Sequence, residues 1–321
     1  MSTYTFKSFL ASEFESYIEH RRNSGYSPRD QVLVDLRRFD EFIAENCTEE
    51  VFSKENADRW IEKRENESPT GHYKRINNSK NFFLFIYPRG YDIFLFDDVK
   101  NPPKTFVPHI YTEDEIKRYF DIVDNYESRM NRYSVIQLPV LFRLLYCCGT
   151  RINETLAIKK EDVDLDNGVI HLTNTKNQKE RYIVLSDEVL HLMRDFADKT
   201  FYAIKDDEYI FRNTQGRRLE RHSVEEIHHD ILRRAGIPDL RDGKGPRIHD
   251  WRHTFTVRAF KHMADNGTDM YVALPILSTY LGHSTIMATE YYLRLTLELF
   301  PSIEEKMSKT ADAVFGEISY V

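Results

Sequence analysis

The chain has 321 residues, enough for one large domain or two ordinary ones. At 41% hydrophobic and 30% charged residues it reads as globular rather than disordered. Its 45 basic and 52 acidic side chains leave a formal net charge of −7, which excludes a strongly basic nucleic-acid-binding domain. Up to residue 100 there are 15 basic and 18 acidic groups, and the remainder holds 30 and 34, so neither part is basic. A polyanion-binding surface must therefore come from local clusters, and two are visible: Lys74, Arg75 and Lys80, and Arg217, Arg218 and Arg221. Taken alone, such short runs read equally well as solvated faces. The three cysteines, Cys47, Cys147 and Cys148, include an adjacent pair in an apolar run and no C-x-x-C, which points to core thiols in a reducing compartment. The N-terminus lacks a signal-peptide core, and no stretch approaches the roughly 20 apolar residues of a membrane span. The expectation is a cytoplasmic protein with no membrane partner.

The first elements read as helices. Phe9, Leu10, Phe14 and Ile18 recur at helical spacing and predict a helix over Phe6–Arg22. Ser27-Pro28 opens a second, with Val32, Val34, Leu36, Phe39, Phe42 and Ile43 on one face. A third segment runs from Ser53 to Arg64 around Ala57, Trp60 and Ile61. A fourth, Pro69–Tyr87, mixes Lys74, Arg75 and Lys80 with Phe82, Phe83 and Phe85. Residues 1–96 thus form a four-helix domain. Pro102, Pro103 and Pro108 make 97–111 a linker, because proline suits neither a helix interior nor a central strand.

Residues 112–321 are expected to form a mixed α/β domain, so the chain as a whole is mainly α with a small β-sheet. Thr112 with Glu115 is a capping box that starts a helix over 113–127, and a second covers 134–147. Gly149-Thr150 stops it, with Thr150 as the expected cap of a helix beginning at Arg151. V-D-L-D-N-G-V-I-H-L and R-Y-I-V-L read as short strands, and Lys176 falls in the polar turn at 174–180. Helices follow at 187–199 and 222–235. Gly243-Lys244-Gly245-Pro246 breaks the chain before R-I-H-D-W-R-H, and a further helix, 269–281, ends at Gly282. Ser284 is positioned to cap a short helix carrying Tyr291 and Tyr292, and the last thirty residues are weakly amphipathic.

Several side chains here suit phosphoryl chemistry. A tyrosine hydroxyl is a poor nucleophile at neutral pH, since its pKa is about 10, and needs a base or stabilising cations. Tyr291 and Tyr292 both qualify, and chemistry alone does not separate them. Planar guanidinium forks match the oxygens of a phosphodiester, which suits Arg151 and Arg252. His249 and Arg252, three residues apart, share a helix face, and Glu154 stands in the same relation to Arg151 and can orient it. His283, between Gly282 and Ser284, suits a bond to a reacting phosphate as well as a plain cap. Lys176 can protonate a leaving oxygen if its turn leans over the site. His249 and His253 at i, i+4 could share a metal, but no third ligand is suitably spaced, and no carboxylate cluster suggests paired magnesium ions. No metal and no cofactor are expected. Singly, each residue has a simpler reading as a salt bridge, a cap or a core ring; it is their joint occurrence in this order that carries weight.

These motifs resemble those of the tyrosine recombinase (phage integrase) family over nearly the whole chain. G-T-R-I-N-E-T-L resembles the family's G-x-R-x-x-E-L box, with Arg151 and Glu154, although Thr155 intervenes before Leu156. T-K-N-Q-K-E-R resembles its G-K-G-x-K-x-R hairpin, which favours Lys176 over Lys179, with Thr175 in place of a glycine. H-D-W-R-H-T-F resembles the box that supplies His249 and Arg252. L-G-H-S with a tyrosine nine residues after its histidine resembles the last box, and that spacing selects Tyr292 over Tyr291. The resemblance implies that Tyr292 attacks a DNA phosphate to form a 3′-phosphotyrosyl link. It implies that Arg151, Arg252 and His283 hold the non-bridging oxygens, Lys176 protonates the leaving 5′-oxygen and His249 assists proton transfer, without ATP or metal.

It further implies that residues 1–96 are a core-binding domain clamping duplex DNA with the catalytic domain. Partners would be paired double-stranded recombination sites bound by a homotetramer, with an accessory DNA-bending or directionality factor. The residues after about 296 would form the segment exchanged with a neighbouring subunit in that resemblance. Because the core-binding helices start almost at once, no arm-site domain is expected, which favours a simple recombinase serving a mobile element over one resolving chromosome dimers. A type IB topoisomerase-like enzyme fits the core-binding helices less well, and an inactive DNA-binding relative fits poorly with six retained residues. The acidic net charge predicts weak nonspecific DNA binding with a steep salt dependence.

Overall fold

The computed structural model describes residues 4–25, 30–47, 50–103, 107–127, 132–173, 180–239, 245–283 and 287–300. The chain divides into two compact units, Met1–Phe106 and Val107–Val321. The first contains helices α1 (Ala11–Asn23), α2 (Asp30–Asn46), α3 (Lys54–Ile61) and α4 (Pro69–Ile86). Their apolar faces meet in an aromatic core in which Phe14 stacks on Phe82 at 3.9 Å and Phe83 on Phe96 at 5.1 Å. Helix α1 begins five residues later than its periodicity predicts, at Ala11 rather than Phe6. The amides of Lys7 and Ser8 donate to the buried Asp40 carboxylate of α2, at 2.8 and 2.9 Å, which folds the entering chain back. Phe6 then stacks on Phe14 at 4.9 Å, whereas one continuous helix would hold the two about 12 Å apart.

Helix α3 also stops short of its predicted end at Arg64, and the cause is Arg75. That guanidinium takes the carbonyls of Trp60 and Glu62, at the C-terminal end of α3, and both oxygens of Glu67 at 2.7 and 2.8 Å. Only 2% of Arg75 is exposed, so its assignment to a DNA-binding face is corrected: it is an internal tie. Lys80 is ion-paired to Asp98 at 2.6 Å, while Lys74 is exposed.

The second unit opens with α5 (Glu113–Asp124), whose Thr112–Glu115 capping box is formed. Helix α6 (Arg132–Cys147) and the single turn α7 (Ile152–Thr155) lead into strands β1 (Val163–Asp164), β2 (Val169–Leu172) and β3 (Arg181–Val184). These make one antiparallel sheet in the order β1-β2-β3, with Ile170 opposite Ile183, both fully buried. Helices α8 (Asp187–Thr200), α9 (Arg221–Arg234), α10 (Asp250–Asp265), α11 (Met270–Leu281) and α12 (Met287–Leu299) complete the unit. The fold is mainly helical with one small sheet. Helix α10 packs against α6, α11 and α12 and is anchored at its start by Trp251, stacked on Tyr111 at 3.8 Å. Residues 97–103 and 107–111 carry neither helix nor strand. No described helix is long and apolar enough to cross a membrane.

Candidate active site

The site is organised by the C-terminal end of α11. Gly282 ends that helix in the left-handed conformation, φ 64°, a turn that favours glycine because it has no Cβ. The amides of Gly282 and His283 turn back to Thr279 and Ser278, at 3.0 Å each. The carbonyls of Leu281 and Gly282 are left at the negative end of the helix dipole, where cations are favoured. Arg252 Nη2 donates to Leu281 O at 2.6 Å, and Arg151 Nη2 to Gly282 O at 3.2 Å. One helix end thus seats two arginines that lie a hundred residues apart in sequence.

Arg151 reaches it from the N-cap of α7. Thr150, expected as that cap, instead bonds Leu144 O and the Thr155 hydroxyl, and Arg151 itself occupies the cap position in extended conformation. Its amide and guanidinium both engage Glu154, the latter at 2.6 Å. Arg252, on the first turn of α10, is 1% exposed and also donates to Gly149 O at 2.7 Å and to His283 Nε2 at 3.0 Å. None of these partners is a carboxylate. Burial, and after it the nearby Arg151, push the Arg252 pKa down to about 9, so it remains a cation at neutral pH.

A guanidinium can only donate, so His283 Nε2 accepts, and a neutral ring then carries its proton on Nδ1, facing Thr289 Oγ1 at 2.7 Å. Burial, followed by the charges of Arg252, Arg151 and Arg181, lowers the His283 pKa to about 4. Tyr292, from α12, is 5% exposed and its ring lies 6.0 Å from His283 and 5.1 Å from His253. Burial raises its pKa to about 12 against the opposing pull of Arg252 and Arg151. Tyr291 is 42% exposed, so the fold distinguishes the two tyrosines that reactivity alone does not. His249 sits at the N-cap of α10, with its ring edge-on to His253 at 4.9 Å. Desolvation, then His253, Arg252 and Arg151, disfavour its protonation. Its side chain keeps a solvent-facing surface, so the neighbouring positive charges are the firmer cause.

The structure brings Arg151, Glu154, His249, Arg252, His283 and Tyr292 to one face of the second unit. Lys176, like Lys179, lies outside the described residues. Arg217, Arg218 and Arg221 are exposed; Arg221 pairs with Glu225 at 2.7 Å and is close enough to act on His249 electrostatically. Among the described residues no group of three or more His, Cys, Asp or Glu side chains could hold a metal ion. Sequence reasoning missed Arg181, which bonds Glu154 at 2.7 Å, and Thr289, which bonds His283. The hairpin motif contained Arg181 and could have flagged it; Thr289 gave no signal.

Residues 110–298 match the phage integrase family, and the chain belongs to it. Among its relatives, y4rB of Sinorhizobium fredii, provisionally named an integrase/recombinase, is 27% identical over 311 residues, covering 92% of this chain and 96% of that one. Tyrosine recombinase XerC of Rickettsia bellii is 27% identical over 244 residues, 74% of either chain. The fold is shared with the XerH site-specific recombinase in its post-cleavage complex with difH DNA: TM-score 0.65, 19% identity, 94% of this chain and 84% of that one. It is also shared with the Tn1549 transposon integrase bound to transposon right-end DNA: TM-score 0.60, 17% identity, 90% and 98% coverage.

Proposed function

We propose that the protein is a site-specific DNA recombinase that cuts and rejoins duplex DNA through a 3′-phosphotyrosyl intermediate, in the integration or excision of a mobile element. The observation that carries this reading is Arg252: a buried cation without a carboxylate partner among the described residues, beside Arg151 and close to Tyr292. Burying a charge this way is costly unless something neutralises it, and a phosphodiester supplies both the charge and the oxygens. Tyr292 Oη attacks phosphorus as its proton leaves with the assistance of His249, whose protonation the charge of the bound phosphate favours, and the bond from phosphorus to the 5′-oxygen breaks. Lys176 protonates that oxygen, while Arg151 and Arg252 hold the non-bridging oxygens, joined by His283 once Arg252 turns to the phosphate and the ring carries its proton on Nε2. Attack on the phosphotyrosine by a 5′-hydroxyl of a second strand reverses the step and conserves bond energy. Residues 1–96 serve as the core-binding domain, and a homotetramer assembles on paired sites with an accessory DNA-bending or directionality factor. The names of y4rB, an integrase/recombinase, and of the Tn1549 integrase support the mobile-element setting.

Covalent trapping tests this. Wild type, Tyr291→Phe and Tyr292→Phe are incubated, in chelator, with DNA from the native genomic neighbourhood, and protein-linked fragments are isolated under denaturing conditions and sequenced. The expected adducts vanish only in Tyr292→Phe, and their ends define the site. Adducts that persist in Tyr292→Phe overturn the nucleophile; specific binding without any adduct, even on a nicked substrate, overturns the enzyme.

A further inference from the structure

We propose that Arg181 is a positioning residue for strand cleavage, holding Glu154 in register with Arg151 and offsetting its negative charge so that Arg151 remains available to a DNA phosphate. The proposal rests on the reading of the site given above.

Glu154 poses an electrostatic problem. Its carboxylate is 3% exposed and lies 2.6 Å from the Arg151 guanidinium, which fixes that side chain but also places an anion beside a site meant for one. Left alone, the carboxylate would cancel Arg151 and repel phosphate. Arg181 answers from the other side. As the first residue of β3 it directs Nη2 to the second Glu154 oxygen at 2.7 Å, with its own side chain only 10% exposed. One carboxylate is therefore shared by two guanidiniums, and the trio keeps one net positive charge where the Arg151–Glu154 pair alone has none.

Position supports the same assignment. A Cβ on Gly282 would lie 3.2 Å from Arg181 Nη1, so Arg181 passes beside the very residue whose carbonyl receives Arg151. Its charge reaches the other groups of the site as well, opposing protonation of His283 and lowering the Arg252 pKa. Burial alone would raise the Glu154 pKa, but the bond and charge of Arg181, followed by those of Arg151, hold it below the ordinary carboxylate value. The carboxylate therefore stays ionised, and its charge needs the second arginine. Arg181 also begins the strand that follows Lys176 in sequence, and the same contact ties that strand to α7.

The test is single-turnover cleavage of a nicked duplex carrying the site found by trapping, with Arg181→Met, Arg181→Lys and the double variant Arg181→Met/Glu154→Gln. Arg181→Met should cleave at least about tenfold more slowly than wild type, the scale of one lost charge-assisted hydrogen bond in a transition state. Arg181→Lys should recover part of that loss. The double variant should be faster than Arg181→Met, because removing the stranded charge restores the balance. A methylphosphonate at the scissile position replaces a charged oxygen by methyl, and on it the Arg181→Met deficit should shrink to about threefold or less. A 5′-bridging phosphorothiolate, whose sulfur leaves without protonation, should not rescue the variant.

Wild-type speed in Arg181→Met, an equal deficit on phosphate and methylphosphonate, or a double variant slower than the single would each overturn the proposal. Rescue by the phosphorothiolate would also overturn it, by placing Arg181 with leaving-group protonation. If Arg181→Met does not fold, Arg181→Lys on the phosphate and methylphosphonate pair decides. If wild type forms no Tyr292 adduct, the reading of the site has failed and the proposal falls with it; a failure confined to Arg181 variants leaves that reading intact.

Discussion

Gly149 shows how a residue without a side chain can govern the site. Its φ of 59° lies in the left-handed region, and a Cβ there would collide with the Phe255 ring, while its carbonyl receives Arg252. Gly149→Ala should therefore combine backbone strain of about 1–2 kcal/mol with a clash that moves the carbonyl, and should slow cleavage as well as destabilise the second unit. Gly267→Ala is the control: φ is 77° but no atom lies within 4 Å of the added Cβ, so strain alone remains. Urea unfolding and single-turnover cleavage of both variants check this; equal cleavage rates would dissociate Gly149 from the seating of Arg252. The contrast also marks what the sequence discloses. Arg151, His249, Arg252, His283 and Tyr292 were legible because each sits in a short motif with fixed spacing. The carbonyls of Gly149, Leu281 and Gly282 were not, because a backbone acceptor has no signature and its arginine lies far along the chain.

Among the elements, α4 shows why charge pattern misleads. Lys74 and Arg75 are neighbours in sequence, yet one is exposed and the other is among the most buried polar residues of the first unit. Nothing in the helical spacing reveals that Arg75 faces Glu67 and the last carbonyls of α3, since those partners belong to a different segment. The apolar positions of the same helices were legible because burial follows periodicity directly, with Phe82 and Phe83 fully enclosed. Helix ends were less so: α1 starts late and α3 stops early where side chains from other helices claim the neighbouring backbone groups. Removing one partner of a buried ion pair strands the other, so Arg75→Ala should destabilise the first unit by about 3–5 kcal/mol. Arg75→Met/Glu67→Leu, which removes both charges, should recover much of that. Urea titration followed through Trp60 makes the measurement, and a loss below about 1 kcal/mol would return Arg75 to the surface-charge class.

At the scale of the whole molecule, the two units carry different titratable interiors, and acid should separate them. In the second unit, burial and then the charge of His229 lower His228 to about 3. Burial followed by Arg252 and Arg247 lowers His253 to about 4, and His283 is lowered to about 4 as well. In the unfolded chain these rings titrate near 6.5. Below that pH the unfolded state binds protons that the folded state refuses, so stability must fall as pH drops from about 6.5 towards 4, by up to about 1.4 kcal/mol per pH unit for each histidine. The first unit behaves differently. Its described histidines, His20 and His72, are exposed and half-buried, and its half-buried carboxylate Glu67 has a pKa lowered chiefly by its bond to Arg75. A depressed carboxylate contributes stability above its unfolded pKa, about 4.3, and loses it only as pH falls further. The chain holds two tryptophans, Trp60 in the first unit and Trp251 in the second, so each unit has its own fluorophore. With Trp251→Phe reporting the first unit and Trp60→Phe the second, the Trp251 signal should melt at progressively lower temperature between pH 7.5 and 5.5. Over the same range the Trp60 signal should hold nearly constant. His228→Gln should flatten the slope of the second unit by about one histidine's share. Parallel decline of both signals would mean that the units unfold as one body; a flat Trp251 signal would mean that the buried rings of the second unit already carry protons.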